Sequence, residues 1–323
     1  MDKKPERTEL HCTSSESGQK LLKHLLRTTD GTKIYLYKLF RKGDIKVNGR
    51  AVDQTYALQD GDVVSFSRLR MESRARNKFR GVSRDLCVLY EDDLVIAVDK
   101  DDSTIVHAAG SEYQNSLLER VKAHLYRNHR PHAEACPVHR IDRNTRGVVL
   151  FAKNSEAAKK VNALFKNGEV EKTYEALLDG KIIKPIFVEA DIIRGGDKNA
   201  VEAKNLRSST IIPEKQQWLE SKYRHSNTLS GTVIRPIGYV ENNRFTAAEI
   251  SIWTGRHHQI RAIAKALGHP MVGDKKYFMP GRGRDEEQSG QQLICKRIFI
   301  EKMGLRIESR HGFNIKNSRP RAG

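Results

Sequence analysis

Three short stretches concentrate chemically capable side chains in otherwise apolar surroundings. The first runs from Val138 through His139-Arg140-Ile141-Asp142-Arg143-Asn144-Thr145-Arg146 to Gly147. It precedes the apolar run Val148 to Phe151, which reads as a buried strand. Asp142 is its only carboxylate, and Arg140, Arg143 and Arg146 around it favour the ionised form. An ionised carboxylate can act as nucleophile or base; the competing reading is a structural aspartate that satisfies a turn. The second stretch, Thr254-Gly255-Arg256-His257-His258-Gln259-Ile260-Arg261, stands between a strand and a helix. A helix start offers free N–H groups and partial positive charge, and so suits a phosphate or carboxylate. Arg256 and Arg261 strengthen that reading. The His257-His258 pair could suggest a metal, but adjacent helical residues face different ways and no third ligand stands at a useful spacing. No metal site is expected. In the third stretch, Lys172 to Leu178, strand alternation places Tyr174 on one face with Ala176 and Leu178. That ring is either core or the flat wall of a base pocket.

These stretches need elements to hold them. Leu94 to Val98 predicts a buried strand, and Ser116 to Tyr126 a helix. Asn154 or Ser155 caps a helix with Ala157, Val161, Leu164 and Phe165 on one face, ended by Gly168. Lys172 to Leu178 and Phe245 to Trp253 read as strands, and His258 to Leu267 as a helix stopped by Gly268. Strands and helices mix without regular alternation, so the expected class is α+β with a mixed, largely antiparallel sheet. Residues 181–243 carry weak strand signals and no motif.

A second, smaller module precedes this one. Leu21, Leu22, Leu25 and Leu26 stand at helical spacing, and Ile34 to Lys42 reads as a helix burying Leu36, Leu39 and Phe40. Asn48-Gly49 is a two-residue hairpin signal between short strands. The expected organisation is a flexible N-terminus (1–18), a helix-helix-hairpin module (19–67), a basic linker (68–85), a main domain (86–310) and a basic tail (311–323).

Composition narrows the partner. With 58 Lys and Arg against 40 Asp and Glu, the chain of 323 residues carries a formal charge of +18. Such a field attracts polyanions. Nucleic acid is the first candidate; a membrane surface is the second, but no dominant basic amphipathic helix supports it. No apolar run approaches the roughly 18 residues of a membrane span, and Met1 to Lys20 lacks a signal-peptide core, so a cytoplasmic location is expected. Cys12, Cys87, Cys136 and Cys295 form no C-x-x-C pair, which argues against a zinc site and a disulfide framework.

Taken in order, the motifs resemble one family. His139 to Gly147 resembles the H-R-L-D-x-x-T-S-G signature of RluA-type pseudouridine synthases. Lys172 to Gly180 resembles that family's tyrosine motif, and Thr254 to Arg261 its T-G-R-x-H-Q-I-R. Gly268-His269-Pro270, Gly273-Asp274 and Tyr277 continue the pattern, and Lys100 with Val106-His107 resembles its opening strand and loop. Upstream, Leu39 to Gly49, Leu58 and Gly61-Asp62 resemble the αL RNA-binding domain of the fourth small-subunit ribosomal protein. The pairing points to the branch that modifies large-subunit ribosomal RNA.

The resemblance implies an isomerase that converts uridine in RNA to pseudouridine without cofactor or metal, as a monomer. It makes Asp142 the catalytic aspartate and pairs Arg261 with it. Tyr174 stacks on the target uracil and assists removal of the C5 proton. Arg140 contacts RNA where the uridine flips out; Arg256, and in the first module Arg41, Lys42, Lys46 and Arg50, are further RNA contacts. The chain departs from the pattern at Ile141, Arg146, Asp101, His257 and Cys295 to Glu301. Two alternatives carry different signatures. A non-catalytic ribosomal-RNA-binding assembly factor would lack the aspartate or tyrosine, and both are present. A methyltransferase would need a glycine-rich nucleotide loop, and no G-x-G-x-x-G occurs.

Overall fold

Short helices and tight turns account for the N-terminal elements. A computed structural model describes residues 7–29, 33–67, 79, 82–107, 116–128, 134–196, 200–221, 226–240, 244–278 and 290–313. The chain divides into two units, one of Met1–Arg84 with Glu119–Glu134, the other of Asp85–Leu118 with Ala135–Gly323. The first holds β1 (Arg7–His11), α1 (Leu21–Thr28), α2 (Lys33–Arg41), β2 (Lys46–Val47), β3 (Arg50–Ala51) and β4 (Val63–Ser67). Gly43, at φ +62°, ends α2, and Asn48 and Gly49, both at positive φ, make the turn between β2 and β3. Leu21, Leu25, Leu36, Leu39, Ile45 and Val64 form the core. Leu26, which shares the helical spacing of Leu21, Leu22 and Leu25, is 40% exposed.

The N-terminal stretch differs from its loose expectation. β1 pairs antiparallel with β4 along its whole length, giving a sheet of order β1-β4-β2-β3. Its residues are half-buried or exposed, so backbone pairing rather than apolar content makes it a strand, and composition carries no sign of that. Most of the 68–85 linker and of the tail beyond Phe313 lies outside the described residues. Phe79 and Val82, from the end of that linker, pack with Ala123 and Tyr126 of α3 (Leu117–Arg127).

The second unit is built on one large sheet. Its strands are β5 (Cys87–Glu91), β6 (Val95–Lys100), β7 (Cys136–Pro137), β8 (Arg146–Ala152), β9 (Glu171–Asp179), β10 (Ile186–Arg194), β11 (Val201–Ser209), β12 (Leu229–Val240), β13 (Phe245–Ile252), β14 (Leu293–Ile300) and β15 (Leu305–Glu308). The helices are α4 (Ser155–Lys166), α5 (Lys215–Ser221) and α6 (Gln259–Ala266). The order is β11-β10-β12-β13-β9-β14-β8-β6-β5, with β15 on β14 and β7 on β8. Every described pairing between these strands is antiparallel except β8 with β14. The sheet is thus mixed and dominated by antiparallel pairs, as expected.

Strands that were legible as continuous apolar runs are central. All six residues of β6 are buried, which is what coverage on both faces requires. Asn154 caps α4 by accepting from the Ala157 N–H at 2.7 Å. The unreadable stretch 181–243 supplies β10, β11, α5 and β12. There, Trp218 and Leu219 of α5 bury against Phe187 and Val233, and the Trp218 indole N–H donates to Glu189 at 2.8 Å.

Candidate active site

The Asp142 loop enters the sheet through β8, and its backbone is held from several sides. Thr145 N–H donates to the Asp142 carbonyl at 3.1 Å, closing a turn. Lys100, fully buried at the end of β6, donates from Nζ to the carbonyls of Arg143 at 2.6 Å and Asp101 at 2.7 Å. Burial pulls that ammonium down to about 8. Gln291 donates to the Thr145 hydroxyl at 2.7 Å. Gly147, at φ +109°, lies against the backbone of Cys295, and a Cβ there would collide with that carbonyl. The parallel pairing of β8 on β14 therefore requires glycine directly after the loop. His139 accepts from the Leu150 N–H at 3.0 Å and stacks on Phe165. Burial drives its imidazole down to about 3, so it packs as a neutral ring.

The facing wall is the start of α6. Gln259 binds the turn before it, accepting from the Thr254 hydroxyl at 2.7 Å and the Arg256 N–H at 3.0 Å. Its amide donates to Thr232 on β12 at 2.9 Å. The helix begins one residue later than the pattern suggested, because His258 adopts a left-handed conformation at φ +51°. That conformation is uncommon for a non-glycine residue, and it turns the imidazole towards Asp142.

Arg261 lies in the first turn of α6, buried. Its NH1 donates to Asp142 Oδ2 at 2.9 Å. Its Nε and NH2 close on the two oxygens of Asp274 at 2.6 and 2.9 Å, a bidentate geometry that fixes the guanidinium plane. Asp274 in turn accepts from the N–H groups of Lys276 and Tyr277 at 3.0 and 3.1 Å. Tyr277 lies 4.8 Å beneath the Arg261 guanidinium carbon. Its hydroxyl accepts from the Val201 N–H at 2.9 Å and meets His258 Nδ1 at 2.9 Å. The other ring nitrogen, Nε2, faces Asp142 Oδ2 at 3.5 Å, and a carboxylate there favours the tautomer with hydrogen on Nε2 and Nδ1 as acceptor of the phenol proton. Burial pulls His258 down to about 4 in spite of Asp142, so the ring is neutral at physiological pH.

Tyr174 completes the arrangement. On β9 it sits opposite Ile250 of β13 and Cys295 of β14, 6% exposed. Burial, followed by the nearby Cys295, pushes its phenol well above the ordinary value. Asp142, Tyr174, Arg261, His258 and Arg140 line one open cleft. Asp142 retains 20% side-chain exposure there, so an anchored carboxylate reaches solvent beside a flat aromatic wall.

The remaining sequence candidates fall into two groups. Arg140 is exposed at the cleft. Arg256 also lines it but donates to the carbonyls of Leu229 and Ser226 at 3.3 and 3.0 Å, which ties the preceding turn to β12. In the first unit Arg41, Lys42 and Arg50 are exposed and Lys46 is half-buried. The expectation that the histidine pair lacks a third ligand is corrected. Asp142, distant in sequence, brings a carboxylate oxygen within 4.8 Å of a ring nitrogen on each of His257 and His258. A cation there would compete with Arg261 for the same carboxylate. Asp274, Tyr277 and Val201 had no assigned roles. Asp274 and Tyr277 stood in a recognised motif, whereas Val201 acts through its backbone N–H and left no sequence signal.

Comparison with known proteins decides the family. Residues 94–266 match the model of the RNA pseudouridylate synthases. The chain belongs to that family. Among its relatives is ribosomal large subunit pseudouridine synthase C of Yersinia pestis, 28% identical over 307 residues, covering 92% of this chain and 86% of that protein. The protein of the same name from Escherichia coli K12 is 27% identical over 304 residues, covering 91% and 86%. Two solved structures share the fold. Human RNA pseudouridylate synthase domain containing 1 has TM-score 0.54 at 21% identity, over 71% of this chain and 84% of that one. Domain containing 4 has TM-score 0.54 at 17% identity, over 75% and 94%.

Proposed function

We propose that this family member isomerises uridines of large-subunit ribosomal RNA to pseudouridine, with Asp142 as its catalytic residue. The observation that carries the reading is the placement of Asp142, hydrogen-bonded to Arg261, beside Tyr174 in one cleft. The relatives named as large-subunit enzymes, matched over most of their length, support the substrate.

In this reading the target uridine leaves its stack and enters the cleft, since the reacting atoms are out of reach inside a helix. The C1′–N1 bond breaks, the uracil turns, C1′ bonds to C5, and the C5 proton is lost as N1 gains one. Asp142 supplies the reacting oxygen. Arg261 orients it without taking its proton, because a guanidinium stays charged. Tyr174 stacks on the uracil. Burial favours its neutral phenol, which suits a platform better than a base. Arg140, exposed at the cleft, takes the space left by the flipped nucleotide. No cofactor or metal takes part in the step.

The first unit serves as an αL-type RNA grip, with Arg41, Lys42, Lys46 and Arg50 on phosphates. The protein acts as a monomer in the cytoplasm; among the described residues no helix is long and apolar enough to cross a membrane. The test is a carbodiimide-based pseudouridine map of ribosomal RNA from cells with and without the protein. Large-subunit sites should vanish without it. An unchanged large-subunit map would overturn the proposed substrate.

A further inference from the structure

In the first unit three potential ligands from separate elements meet beneath β1 and α1. Cys12 follows β1, Glu16 lies in the turn after it, and His24 stands on α1. The thiol sulfur, a carboxylate oxygen and a ring nitrogen all lie within 4.8 Å of one another. Cys12 and His24 are 4% and 3% exposed, so this is an interior cluster rather than a surface coincidence.

The ligand atoms are held in place by bonds that leave their reactive positions open. Cys12 is pinned through its backbone, its N–H to the Asp62 carbonyl at 2.8 Å and its carbonyl to the Gly61 N–H at 3.1 Å. Glu16 spends one oxygen, Oε2, on the Thr13 N–H at 3.0 Å and the Thr13 hydroxyl at 3.3 Å. The other, Oε1, faces His24. Nδ1 of His24 is fully buried and makes no hydrogen bond. An unsatisfied buried ring nitrogen is costly, and it faces Glu16 Oε1 at 3.6 Å. That is too long for a hydrogen bond. It is close to the nitrogen–oxygen separation of two ligands on one tetrahedral zinc ion, roughly 3.3–3.5 Å from the usual metal–ligand distances.

The Glu16 carboxylate beside the Cys12 and His24 ligand atoms gives the cluster a charge that favours a cation. Arg27, 3.8 Å from Glu16 Oε1, is 61% exposed on its side chain and free to turn to solvent. A thiol with an imidazole selects zinc-class ions over magnesium or calcium.

We propose that Cys12, Glu16 and His24 bind one zinc-class divalent cation, with water as the fourth ligand, tying the N-terminal strand and turn to α1. On binding, Cys12 gives its proton to solvent and its sulfur lone pair to the metal. The site escaped the sequence reading because that reading sought paired cysteines, whereas these ligands are mixed and 4 and 8 positions apart.

The test is a cobalt(II) titration of the full reduced chain, stripped of metal and free of oxygen. One equivalent should bind with a thiolate-to-cobalt charge-transfer band in the near ultraviolet. That band should disappear in Cys12→Ser, weaken in Glu16→Gln and His24→Gln, and persist in His257→Ala. Zinc should displace the cobalt and raise the wild-type Tm. Wild-type protein that shows no charge-transfer band overturns the proposal however the variants fold. So does a band that survives in Cys12→Ser.

Discussion

Arg261 joins two carboxylates that differ in exposure and use. One edge of its guanidinium closes on Asp274, 1% exposed on its side chain, while NH1 reaches Asp142, 20% exposed. Asp274 fixes the guanidinium, and the guanidinium fixes the reactive carboxylate. Arg261→Lys keeps a charge but loses the fork. Turnover should fall by about 100-fold, the scale for misplacing a reacting group by roughly 1 Å. Arg261→Met should in addition destabilise the fold by about 3–5 kcal/mol by leaving Asp274 buried without its partner. Single-turnover kinetics and denaturant unfolding read the two effects separately.

His258 carries a pH signature. Its folded value is about 4 against an ordinary 6.5. Between these values the unfolded chain binds a proton that the folded chain refuses. Stability from this group is therefore fully present above about 6.5 and is lost as pH falls towards 4. Urea unfolding of the wild type against His258→Gln should show a steeper acid loss in the wild type across that window. Equal slopes would mean that the ring titrates normally in the folded protein.

Lys100 gives a second window, on the alkaline side. Its folded value is about 8 against 10.5 unfolded, so between the two the unfolded chain holds the extra proton. Its contribution to stability should rise as pH climbs from about 8 to 10.5. Lys100→Met removes the contact to the Arg143 carbonyl that braces the Asp142 loop, along with the contact to the neighbouring Asp101 carbonyl. It should slow turnover with little change in KM and flatten the alkaline stability profile, read by kinetics and by unfolding between pH 8 and 10.

The basic surface of the first unit should act through phosphates. Arg41→Ala, Lys42→Ala and Arg50→Ala should weaken RNA binding at low salt, and each should reduce the slope of log K against log salt by roughly one. The single-turnover rate at saturating RNA should stay unchanged. Filter binding over a salt series checks this; an unaltered slope would remove these residues from the interface.

The legible parts of the molecule were those where one physical signal dominates. β6 and β8 read as continuous apolar runs because both faces are covered. Asn154 and Gly168 mark the ends of α4 by capping and positive φ. The loop bearing Asp142 and the start of α6 were visible because polar clusters in apolar surroundings are unusual. β11 was not, since it is largely exposed and is held by backbone pairing with β10. β1 escaped for the same reason. The left-handed His258 and the Val201 N–H that orients Tyr277 depend on contacts distant in sequence, which spacing alone does not report.

The central claim is that Asp142 performs the isomerisation. The most direct test incubates purified wild type and Asp142→Asn with ribosomal RNA from cells lacking the protein, then maps pseudouridine by carbodiimide-primed reverse transcription. The account predicts that wild type restores the missing large-subunit sites. Asp142→Asn should bind the same RNA with comparable affinity, retain its fold by circular dichroism, and form no pseudouridine. Restoration of those sites at the wild-type rate by Asp142→Asn would contradict it.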